Sequence, residues 1–495
     1  MTSRMADRLV MLPSGLPIGD SWRSVSTVTV RFPYDGSAVA EAPVGTVELA
    51  TEALDVAVEL RAAMASLPSH TRRSVLRVVC EELEQHAEQL AALLVLETGK
   101  PLVDCLVEVD RSIVTVRAAG EEVARTHGET VALDLSPSGE GMTGFWVRRP
   151  IGVVVGITGF NYPLLLASHK MAPAIAAGCP VICKPAPQAP LAVLQLADMF
   201  RRALGTAGAP VGGVQVVTGA AEVGAVLVSD PRIGAVSFTG SAAVGHAIAR
   251  SAAPIRTVLE LGSNSAMIVA DDADLVAAVD AVRRGGFYAS GQACISIQRL
   301  LVDRRVAAEF FDLLVPAIAS LTVGDPRLPA TNVSALIDMD ATLRITRCIA
   351  EAVLVGAEVL LGGETVDGVL APTLLVNVPD GVDIWEEEVF GPVVCMRLVD
   401  DFDEAISITN ASRYGLQASV FTNSLGRALK AVNDLEVGGV VINEVPGFRA
   451  DNMPYGGVKH SGIGREGPRF AVEEYTVTRM AIIRWLGDDA ARSGR

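Results

Sequence analysis

Cys294 is the residue whose setting in this sequence most favours covalent chemistry. It lies in the segment GQACIS (291–296), just past the end of a predicted helix, and Gly291 allows the chain to turn there and present the thiol to a cleft. A loop thiol is a candidate nucleophile. The other six cysteines lie in helical or strand patterns, where cysteine is commonly a small buried hydrophobe, and that structural role is the alternative for Cys294 as well.

Two further polar residues follow apolar strands, where a side chain can project into a cleft. Glu260 ends the strand of LELGSNS (259–265), and burial would raise the pKa of its carboxyl group toward neutrality, as a general base requires. The alternative is an exposed carboxylate at a strand end. Asn161, in GFNYP (159–163), follows another strand on its carboxyl side, where α/β sheets bind ligands. Its amide could donate to an oxyanion, although turn formation is the commoner role of asparagine.

The segment SFTGSAAVG (237–245) has the pattern of a strand, a glycine turn and the start of a helix. Ser241 falls near the helix N-terminus, where backbone amides could hold a pyrophosphate. The segment has neither the lysine of a phosphate-binding P-loop nor the third glycine of the usual dinucleotide fingerprint, so alone it is a weak indication of a nucleotide site. Lys184 ends a neighbouring strand at the same carboxyl edge.

The elements that carry these residues predict a parallel, doubly wound α/β sheet, because short β-branched runs alternate with Ala/Leu helices from residue 151 onward. Strands are predicted at 151–157, 179–183, 214–217, 235–238 and 256–261, with helices near 164–177, 189–204, 221–228 and 242–252. A second α/β segment is predicted from about 263, with strands at 266–269, 298–303 and 393–398 and a helix across 273–289. Two earlier surface helices are predicted at 71–96 and 101–125.

Two segments fit neither α/β unit. Residues 129–149 have the pattern of a hairpin around Ser136–Gly141, and the tail 475–485 alternates as a strand does. Exposed ribbons of this kind usually find a partner, so the sequence predicts an oligomer.

Composition excludes several classes of protein. The 495 residues suffice for roughly two to four folding units. The net charge of −16, with no basic run longer than two residues, argues against nucleic acid as a partner. The uncharged window 151–168 is interrupted by Gly156 and Pro163, so it predicts a strand and a helix start instead of a membrane span.

The cysteines and the N-terminus indicate a reducing compartment. Seven scattered cysteines are an odd number, which a cytosolic protein tolerates. Cys179 and Cys183 have no second ligand pair placed to complete a site, so no metal is predicted. Pro13 and Pro17 interrupt the apolar stretch that follows Arg8, and no signal peptide is predicted.

With its segments taken in order, the chain resembles the aldehyde dehydrogenase superfamily from about residue 20 to about residue 485. The segments that carry the resemblance are ETGKP (97–101), GFNYP, HKMAPAIAAG (169–178), KPAPQAP (184–190), FTGSAAVG (238–245), LELGSNS, GQACIS, EEVFGPV (387–393), YGL (414–416) and PYGGVKHSGIGREG (454–467). Within the superfamily, FRADNMPYGGVKHSGIGREG and ELGSNS are similar to the branch of lactaldehyde, glycolaldehyde and phosphonoacetaldehyde dehydrogenases.

The resemblance implies a role for each candidate residue. It makes Cys294 the nucleophile, Glu260 the general base, and Asn161 with the Cys294 backbone amide the oxyanion site. Lys170 and Glu466 match a proton-relay pair. Contacts to NAD or NADP are implied for Ile157, Thr158, Phe160, Lys184, Gly240, Ser241 and Gly245, and contacts to the nicotinamide ribose for Glu388 and Phe390.

The sequence departs from the family's motifs at a few positions that carry no reacting group. Gly159 stands where a proline is usual, Ser263 where a second glycine is usual, and Ala266 where a proline often follows. Pro187 replaces the acidic residue that NAD-preferring members commonly use to hold the adenosine ribose, which leaves the choice between NAD and NADP open.

The implied fold is α/β, with a Rossmann-like doubly wound cofactor domain, an α/β catalytic domain and a β-ribbon oligomerisation element. The expected boundaries are 1–128 and 151–262 for the dinucleotide-binding domain, 263–460 for the catalytic domain, and 129–150 with 475–490 for the ribbon. The implied activity is NAD(P)-dependent oxidation of an aldehyde to a carboxylic acid, through a cysteine thiohemiacetal and thioester, in a cytoplasmic homodimer or homotetramer.

Substrate class is the least defined property. The residues expected to flank the reacting atoms are mostly apolar, which favours a short or medium aldehyde such as a hydroxyaldehyde or semialdehyde; they are Tyr162, Leu165, Leu166, Ala293 and Ile295. Arg111 and Arg449 could face the entrance and serve a carboxylate or phosphonate, with a salt bridge as the alternative for each.

Two other functions stay open. A coenzyme A acylating semialdehyde dehydrogenase hands its thioester to a thiol and has no need of Glu260 as a water-activating base. A non-catalytic homologue is the alternative from another class, although nucleophile, base and oxyanion donor are all present in the sequence.

Overall fold

The computed structural model describes residues 14–484, and its first part consists of three β-hairpins and four helices. The hairpin strands are β1 (Leu16–Ile18) with β2 (Ser21–Arg23), β3 (Thr27–Arg31) with β4 (Ala38–Pro43), and β5 (Glu129–Val131) with β6 (Met142–Pro150). The helices are α1 (Val47–Ala65), α2 (Ser69–Gln85), α3 (Ala87–Thr98) and α4 (Leu102–Glu122). The expectation of no signal peptide concerns residues 1–13 for the most part, and these lie outside the described residues.

The single helix predicted over 71–96 is two helices, α2 and α3. The chain leaves the helical region at His86, which has φ −112° and ψ 19°. The apolar spacing could not reveal this break, because Leu83 before it and Leu90 after it are both buried in the same core. Periodicity reports which face is buried, and the two helices share that face.

The predicted doubly wound sheet is present. Its parallel strands are β7 (Val153–Ile157), β8 (Val181–Lys184), β9 (Val214–Val216), β10 (Ile233–Thr239) and β11 (Arg256–Glu260), in the spatial order β11-β10-β7-β8-β9. The helices between them are α5 (Pro163–Ala177), α6 (Leu191–Thr206), α7 (Ala221–Ser229) and α8 (Ala242–Ala252). Helices cover both faces, so the central strands β7 and β8 are almost wholly buried, as their apolar runs require.

The second α/β segment forms a separate seven-stranded sheet. Its elements in chain order are β12 (Ala266–Val269), α9 (Leu275–Gly285), β13 (Arg299–Asp303), α10 (Ala307–Ala319), α11 (Met339–Leu354), β14 (Glu358–Leu361), the short pair β15 (Thr365–Val366) and β16 (Val369–Leu370), β17 (Thr373–Val376), α12 (Asp383–Glu386), β18 (Val393–Val399), α13 (Phe402–Asn410), β19 (Gln417–Phe421), α14 (Leu425–Asp434) and β20 (Gly439–Ile442). The strand order is β14-β17-β18-β13-β12-β19-β20, and only β14 runs antiparallel to its neighbour.

One boundary in this second segment differs from the prediction. The helix predicted across 273–289 begins after its cap at Asp274, whose side chain accepts from the N–H of Ala277, but it ends at Gly285. The chain then turns through Ala289 and Ser290, which both have positive φ. Local apolar spacing did not reveal this turn, because contacts with distant parts of the chain support it.

After β20 the chain returns to the first sheet. Its last elements are β21 (Gly462–Ile463), α15 (Pro468–Glu474) and β22 (Thr476–Arg484). Strand β21 pairs antiparallel with β11 at the edge of the first sheet, and β22 pairs antiparallel with β6 over nine residues. The predicted hairpin and tail therefore form one three-stranded ribbon, while residues 485–490 of the expected ribbon lie outside the described residues. Within residues 14–484 no helix has the length and apolar character needed to cross a membrane.

Candidate active site

A cleft of about 830 Å³ lies between the carboxyl ends of the first sheet and the loops of the second. Residues that follow β7, β8, β10 and β11 line one wall, and the loop that carries Cys294 lines the opposite wall. All but three of the residues proposed from the sequence line this cleft. The exceptions are Gly245, Lys170 and Glu466, which lie behind its surface.

The loop before Cys294 holds an unusual backbone conformation. Ala289 and Ser290 have φ of 49° and 56°, and residues with side chains pay roughly 1–2 kcal/mol each for this region. Gly291, at φ +71°, approaches the carbonyl of Gly391 so closely that a Cβ atom would lie 2.0 Å from its oxygen. Asp104 on α4 accepts a hydrogen bond of 2.9 Å from the N–H of Ala289. These contacts hold the loop in the shape that brings Cys294 to the cleft.

The thiol of Cys294 is partly accessible and has a hydrogen-bonding partner. Its sulfur lies 3.3 Å from the hydroxyl oxygen of Tyr455. Burial raises the pKa of the Cys294 thiol to about 12, against the opposing effects of Tyr455 and the more distant Arg449 charge. The thiol of the free protein is therefore protonated at neutral pH, and forming the thiolate requires a group that stabilises it or removes its proton.

Asn161 contacts the loop that carries the thiol. Its amide nitrogen donates a hydrogen bond of 2.8 Å to the backbone carbonyl of Gln292, two residues before Cys294. The loop 158–162 before α5 thus contacts the loop that carries the thiol. A side-chain amide fixed beside a nucleophile can donate to a negative oxygen that forms there.

Glu260 ends β11 with its carboxyl group buried in the cleft wall. Neither of its carboxyl oxygens has a hydrogen-bond partner. Burial, reinforced by the negative charge of Glu466, raises the pKa of Glu260 well above its ordinary value. A buried carboxyl group without partners is costly unless it is neutral, so Glu260 holds a proton more readily than an exposed glutamate does.

Glu466 is equally buried but has cationic partners. Its carboxylate lies 3.1 Å from the ammonium group of Lys170 and 3.3 Å from the guanidinium group of Arg449. Burial alone would raise the pKa of Glu466, but the charge of Lys170 and hydrogen bonding from His169 hold it well below the ordinary value. Lys170 also donates to the Thr239 hydroxyl at 2.7 Å. The structure therefore brings Lys170 and Glu466 together as an ion pair directly behind the cleft.

The two arginines expected at the entrance are both engaged in ion pairs. Arg111 lies in the cleft wall and makes two hydrogen bonds to Asp451, of 2.8 and 3.1 Å. Arg449 is only 6% exposed, and its guanidinium group stacks at 3.8 Å over the ring of Tyr455. The salt-bridge alternative therefore describes both residues, because neighbouring carboxylates already pair with them.

The other end of the cleft has the features of a nucleotide site. Gly240 follows β10 where a Cβ atom would lie 2.6 Å from the Phe238 ring, and Ser241 precedes the first turn of α8. The hydroxyl of Thr158, at the end of β7, is buried without a hydrogen-bond partner. Lys184 ends β8 with its side chain in the cleft. A polar group without a partner and a helix N-terminus at the carboxyl edge of a parallel sheet fit a bound dinucleotide.

Gly245 contributes to this end in a different way. It lies in the first turn of α8 and faces Leu261, where a Cβ atom would lie 2.2 Å from a methyl carbon. Its missing side chain lets α8 pack closely on the sheet, which places the helix N-terminus at the cleft.

Glu388 and Phe390 lie between the two ends of the cleft. The Glu388 carboxylate accepts a hydrogen bond of 3.0 Å from the N–H of Ser263, and burial raises its pKa to about 7. The rings of Phe390 and Phe160 meet edge to face with centroids 5.7 Å apart. Both residues are therefore placed to contact a ligand that spans the cleft.

A model of the aldehyde dehydrogenase family matches residues 22–481. A 3-sulfolactaldehyde dehydrogenase from Priestia aryabhattai is 39% identical over 472 residues, which are 95% of this chain and 98% of that protein. The chain belongs to the aldehyde dehydrogenase family.

Other members of the family extend this finding. A lactaldehyde dehydrogenase from Methanococcus aeolicus is 35% identical over 94% of this chain and 99% of its own length. The crystal structure of a glyceraldehyde-3-phosphate dehydrogenase from Methanocaldococcus jannaschii, complexed with NADP, superposes with a TM-score of 0.89 at 36% identity, covering 92% of this chain and 99% of that one. The predicted family, fold and NAD(P)-dependent oxidation of an aldehyde are therefore confirmed.

Some residues of this aldehyde dehydrogenase site had no part in the sequence-based hypothesis. Tyr455 contacts the thiol, while His169 and Thr239 surround the ion pair of Lys170 and Glu466. His169 lies in the family segment HKMAPAIAAG, Thr239 in FTGSAAVG and Tyr455 in PYGGVKHSGIGREG, so the motifs contained all three. Their roles depend on side chains that meet from distant segments, and spacing along the chain does not report that.

Proposed function

We propose that this aldehyde dehydrogenase uses Cys294 as its nucleophile, Asn161 with the Cys294 N–H as its oxyanion site, and Glu260 as the base that activates water. One observation carries the proposal. A thiol, a side-chain amide and a carboxyl group without hydrogen-bond partners meet in one cleft, although they come from three distant segments. The carboxyl group of Glu260, left without partners in a buried cleft, is available for chemistry.

The first half-reaction forms a carbon–sulfur bond. The Cys294 thiol loses its proton to water, and the thiolate attacks the carbonyl carbon of the aldehyde. The carbonyl oxygen becomes an oxyanion that accepts hydrogen bonds from Asn161 and from the backbone N–H. NAD(P)⁺, when bound, supplies the acceptor for the hydride that leaves this carbon. The substrate then remains on the cysteine as a thioester.

The second half-reaction needs a base. Glu260 takes a proton from water, the resulting hydroxide adds to the thioester carbon, and the carbon–sulfur bond breaks to release the carboxylic acid and the Cys294 thiolate. A raised pKa makes the carboxylate of Glu260 a stronger base than an exposed one. The Lys170–Glu466 pair lies behind Glu260, and we assign to it the passage of that proton away from the cleft.

The residues that would hold the cofactor are those around the nucleotide end of the cleft. Thr158 and Ser241 offer hydroxyl groups, and Lys184 offers a charge. A lysine meets either the ribose hydroxyls or a 2′-phosphate, and Pro187, which lines the same end of the cleft, supplies no carboxylate to repel that phosphate. We therefore propose that the enzyme accepts NADP as well as NAD.

The proposed substrate is a short hydroxyaldehyde, with a semialdehyde as the alternative. The names of the two relatives, 3-sulfolactaldehyde and lactaldehyde dehydrogenase, both denote 2-hydroxyaldehydes. The cleft wall near the thiol is mostly apolar at Tyr162, Leu165 and Ile295. Because Arg111 and Arg449 are already paired with carboxylates, an uncharged hydroxyaldehyde needs no rearrangement to bind.

The acylating alternative is less compatible with this cleft. Transfer of the thioester to coenzyme A requires no buried base. Glu260 is nevertheless held in the cleft wall, although its carboxyl group has no hydrogen-bond partner there. A non-catalytic homologue would have no reason to keep the strained loop at Ala289 and Ser290. Both features support hydrolytic aldehyde oxidation.

The assembly is also a proposal. The ribbon of β5, β6 and β22 exposes apolar side chains such as Ile482, which is 62% exposed. We assign 129–150 and 475–490 to oligomerisation in a homodimer or homotetramer, 1–128 with 151–262 to cofactor binding, and 263–460 to catalysis. The seven cysteines are all free thiols, which fits the proposed cytoplasmic location.

A steady-state assay of NAD(P)H formation tests the function. A hydroxyaldehyde, a semialdehyde and an aromatic aldehyde are compared with each cofactor, with and without added coenzyme A. The proposal requires the highest kcat/KM for the hydroxyaldehyde or semialdehyde, turnover with both cofactors, and no dependence on coenzyme A. Strict dependence on coenzyme A, or a clear preference for a bulky aromatic aldehyde, would contradict it.

A further inference from the structure

The hydroxyl of Tyr455 is the side-chain group that meets the Cys294 sulfur. The two atoms lie 3.3 Å apart, which is hydrogen-bonding distance for oxygen and sulfur. A phenolic hydroxyl can accept from the protonated thiol and can donate to the thiolate. Tyr455 therefore has a hydrogen-bonding role available in both states of the proposed nucleophile.

The ring of Tyr455 is fixed from several directions. It packs with Ile295 and Leu416 in a small apolar cluster next to the thiol. The guanidinium group of Arg449 stacks 3.8 Å from its centre. Its backbone pairs with that of Glu466, through bonds of 3.1 and 2.7 Å. The hydroxyl is thus presented in one direction, and a bond to sulfur costs little further entropy.

The charges around the sulfur explain why such a donor matters. Glu260 and Glu388 are acidic groups in the same cleft, and a negative charge on either opposes a thiolate. Arg449 favours the thiolate, but its guanidinium group is held over the Tyr455 ring and pairs with Glu466. A buried thiolate without a hydrogen-bond donor would be disfavoured by its desolvation.

We propose that Tyr455 is a positioning residue of this dehydrogenase, whose O–H group donates to the Cys294 sulfur when the thiolate forms and holds that sulfur toward the cleft. The proposal rests on the proposed role of Cys294 as nucleophile. When the sulfur bonds to carbon it loses its charge and accepts only weakly, so Tyr455 acts chiefly on the free thiolate.

The test is the rate at which iodoacetamide alkylates Cys294 in the Tyr455→Phe variant, measured by peptide mass spectrometry between pH 7 and 9. In this range the rate follows the thiolate fraction, which falls when a hydrogen bond to a charged group is lost. A thiolate of higher pKa is intrinsically more nucleophilic, which offsets about half of that loss. The expected result is alkylation slower by roughly 4- to 10-fold.

Tyr414→Phe is the matched control, because it removes a buried hydroxyl that bonds to Glu387 at 3.0 Å, outside the cleft. This control should alkylate at the wild-type rate. If Tyr455→Phe reacts as fast as wild type, or faster because the hydroxyl only shields the sulfur, the proposal is overturned. An equal slowing in both variants also overturns it, because the effect would then be general loosening.

A second variant keeps the test decisive if Tyr455→Phe does not fold. Incorporation of 3-fluorotyrosine at position 455, assayed at pH 7 where the phenol stays protonated, retains the hydroxyl and makes it a stronger donor. Alkylation should become faster, and an unchanged or slower rate would overturn the proposal. Alkylation requires neither aldehyde nor cofactor. A catalytically active Cys294→Ala variant would refute the proposed function without affecting this comparison of thiol reactivity.

Discussion

Glu260, at the end of β11, and Glu466, three residues after β21, are both buried at the cleft wall, but the two glutamates have opposite surroundings. Glu260 has no hydrogen-bond partner on either oxygen, whereas Glu466 lies within 3.3 Å of both Lys170 and Arg449. The pKa of Glu260 is raised and that of Glu466 is lowered, although both are fully buried. Burial therefore does not decide the protonation state here, and the available partners do.

The same contrast separates reacting groups from supporting groups elsewhere in the site. Asp451 pairs with Arg111, Glu108 pairs with Lys100, and Asp104 accepts from a backbone N–H. These carboxylates position the loops and helices around the cleft. The carboxyl group of Glu260 and the hydroxyl of Thr158 remain without protein partners. The paired carboxylates hold the site, and the two groups without partners are available to water or cofactor.

Removal of the Cys294 thiol should have the largest effect on turnover. Cys294→Ala should reduce turnover below about one per cent of wild type, because no other group can form the covalent intermediate. Cofactor binding and the unfolding temperature should stay unchanged. Cys183→Ala is the control, since Cys183 lies buried in β8, and it should change stability only. Steady-state assays that find several per cent of activity in Cys294→Ala would remove Cys294 from its proposed role.

The next largest effect is expected at the oxyanion site. Asn161→Ala should slow turnover by roughly 10²–10³-fold, the usual loss for one oxyanion donor. Most of this loss should appear in kcat, because the developing oxyanion is stabilised only as the carbon–sulfur bond forms. Single-turnover measurement of NAD(P)H formation would check this. A change confined to KM would instead assign Asn161 to ground-state binding.

The pH dependence of thioester hydrolysis tests whether the charge of Glu466 affects the pKa of Glu260. Thioester hydrolysis needs Glu260 deprotonated, so its rate should rise with pH through the raised pKa of that group. Glu466→Gln removes a neighbouring negative charge and leaves Lys170 uncompensated. Both changes lower the pKa of Glu260, and the rising limb of the rate should move to lower pH.

Glu473→Gln serves as control for this profile, because Glu473 pairs with the exposed Arg469 and should leave the limb in place. Esterase turnover without cofactor would follow the hydrolytic step alone. A limb that stays in place or moves to higher pH in Glu466→Gln would mean that the two carboxyl groups are not coupled as described.

The smallest effect is expected at the nucleotide end. Pro187→Glu should shift the ratio of kcat/KM values toward NAD by roughly 2- to 5-fold, because an accessible charge is screened by solvent. Pro187→Gln is the uncharged control and should shift the ratio less. Absence of NADP turnover in the wild-type enzyme at millimolar cofactor would show that another residue excludes the 2′-phosphate.

Much of the fold follows from local sequence. Each strand and helix predicted between 151 and 261 is present within a few residues, because β-branched runs and Ala/Leu helices alternate there without ambiguity. The break at His86 and the early end of α9 at Gly285 were not predicted. Both are junctions where contacts with distant parts of the chain set the backbone, and the apolar period continues across them.

The residues of the site could be predicted from the sequence, but their hydrogen bonds and pKa shifts could not. The motifs supply Cys294, Glu260 and Asn161, and the structure places them in one cleft. That Glu260 lacks partners while Glu466 has several depends on Lys170, His169 and Arg449, which come from α5 and from the loop before β21. No local pattern reports how such side chains divide their hydrogen bonds.

The most direct test of the central claim is to trap the thioester. Glu260→Gln keeps the size of the side chain but cannot take a proton from water. An excess of aldehyde with NAD(P)⁺ should give a burst of one NAD(P)H per active site followed by a slow steady state. Intact-protein mass spectrometry should then show the mass of one acyl group, located on Cys294 by peptide mapping. A Glu260→Gln variant that turns over at the wild-type rate, or that stalls without an acyl group on Cys294, would contradict the account.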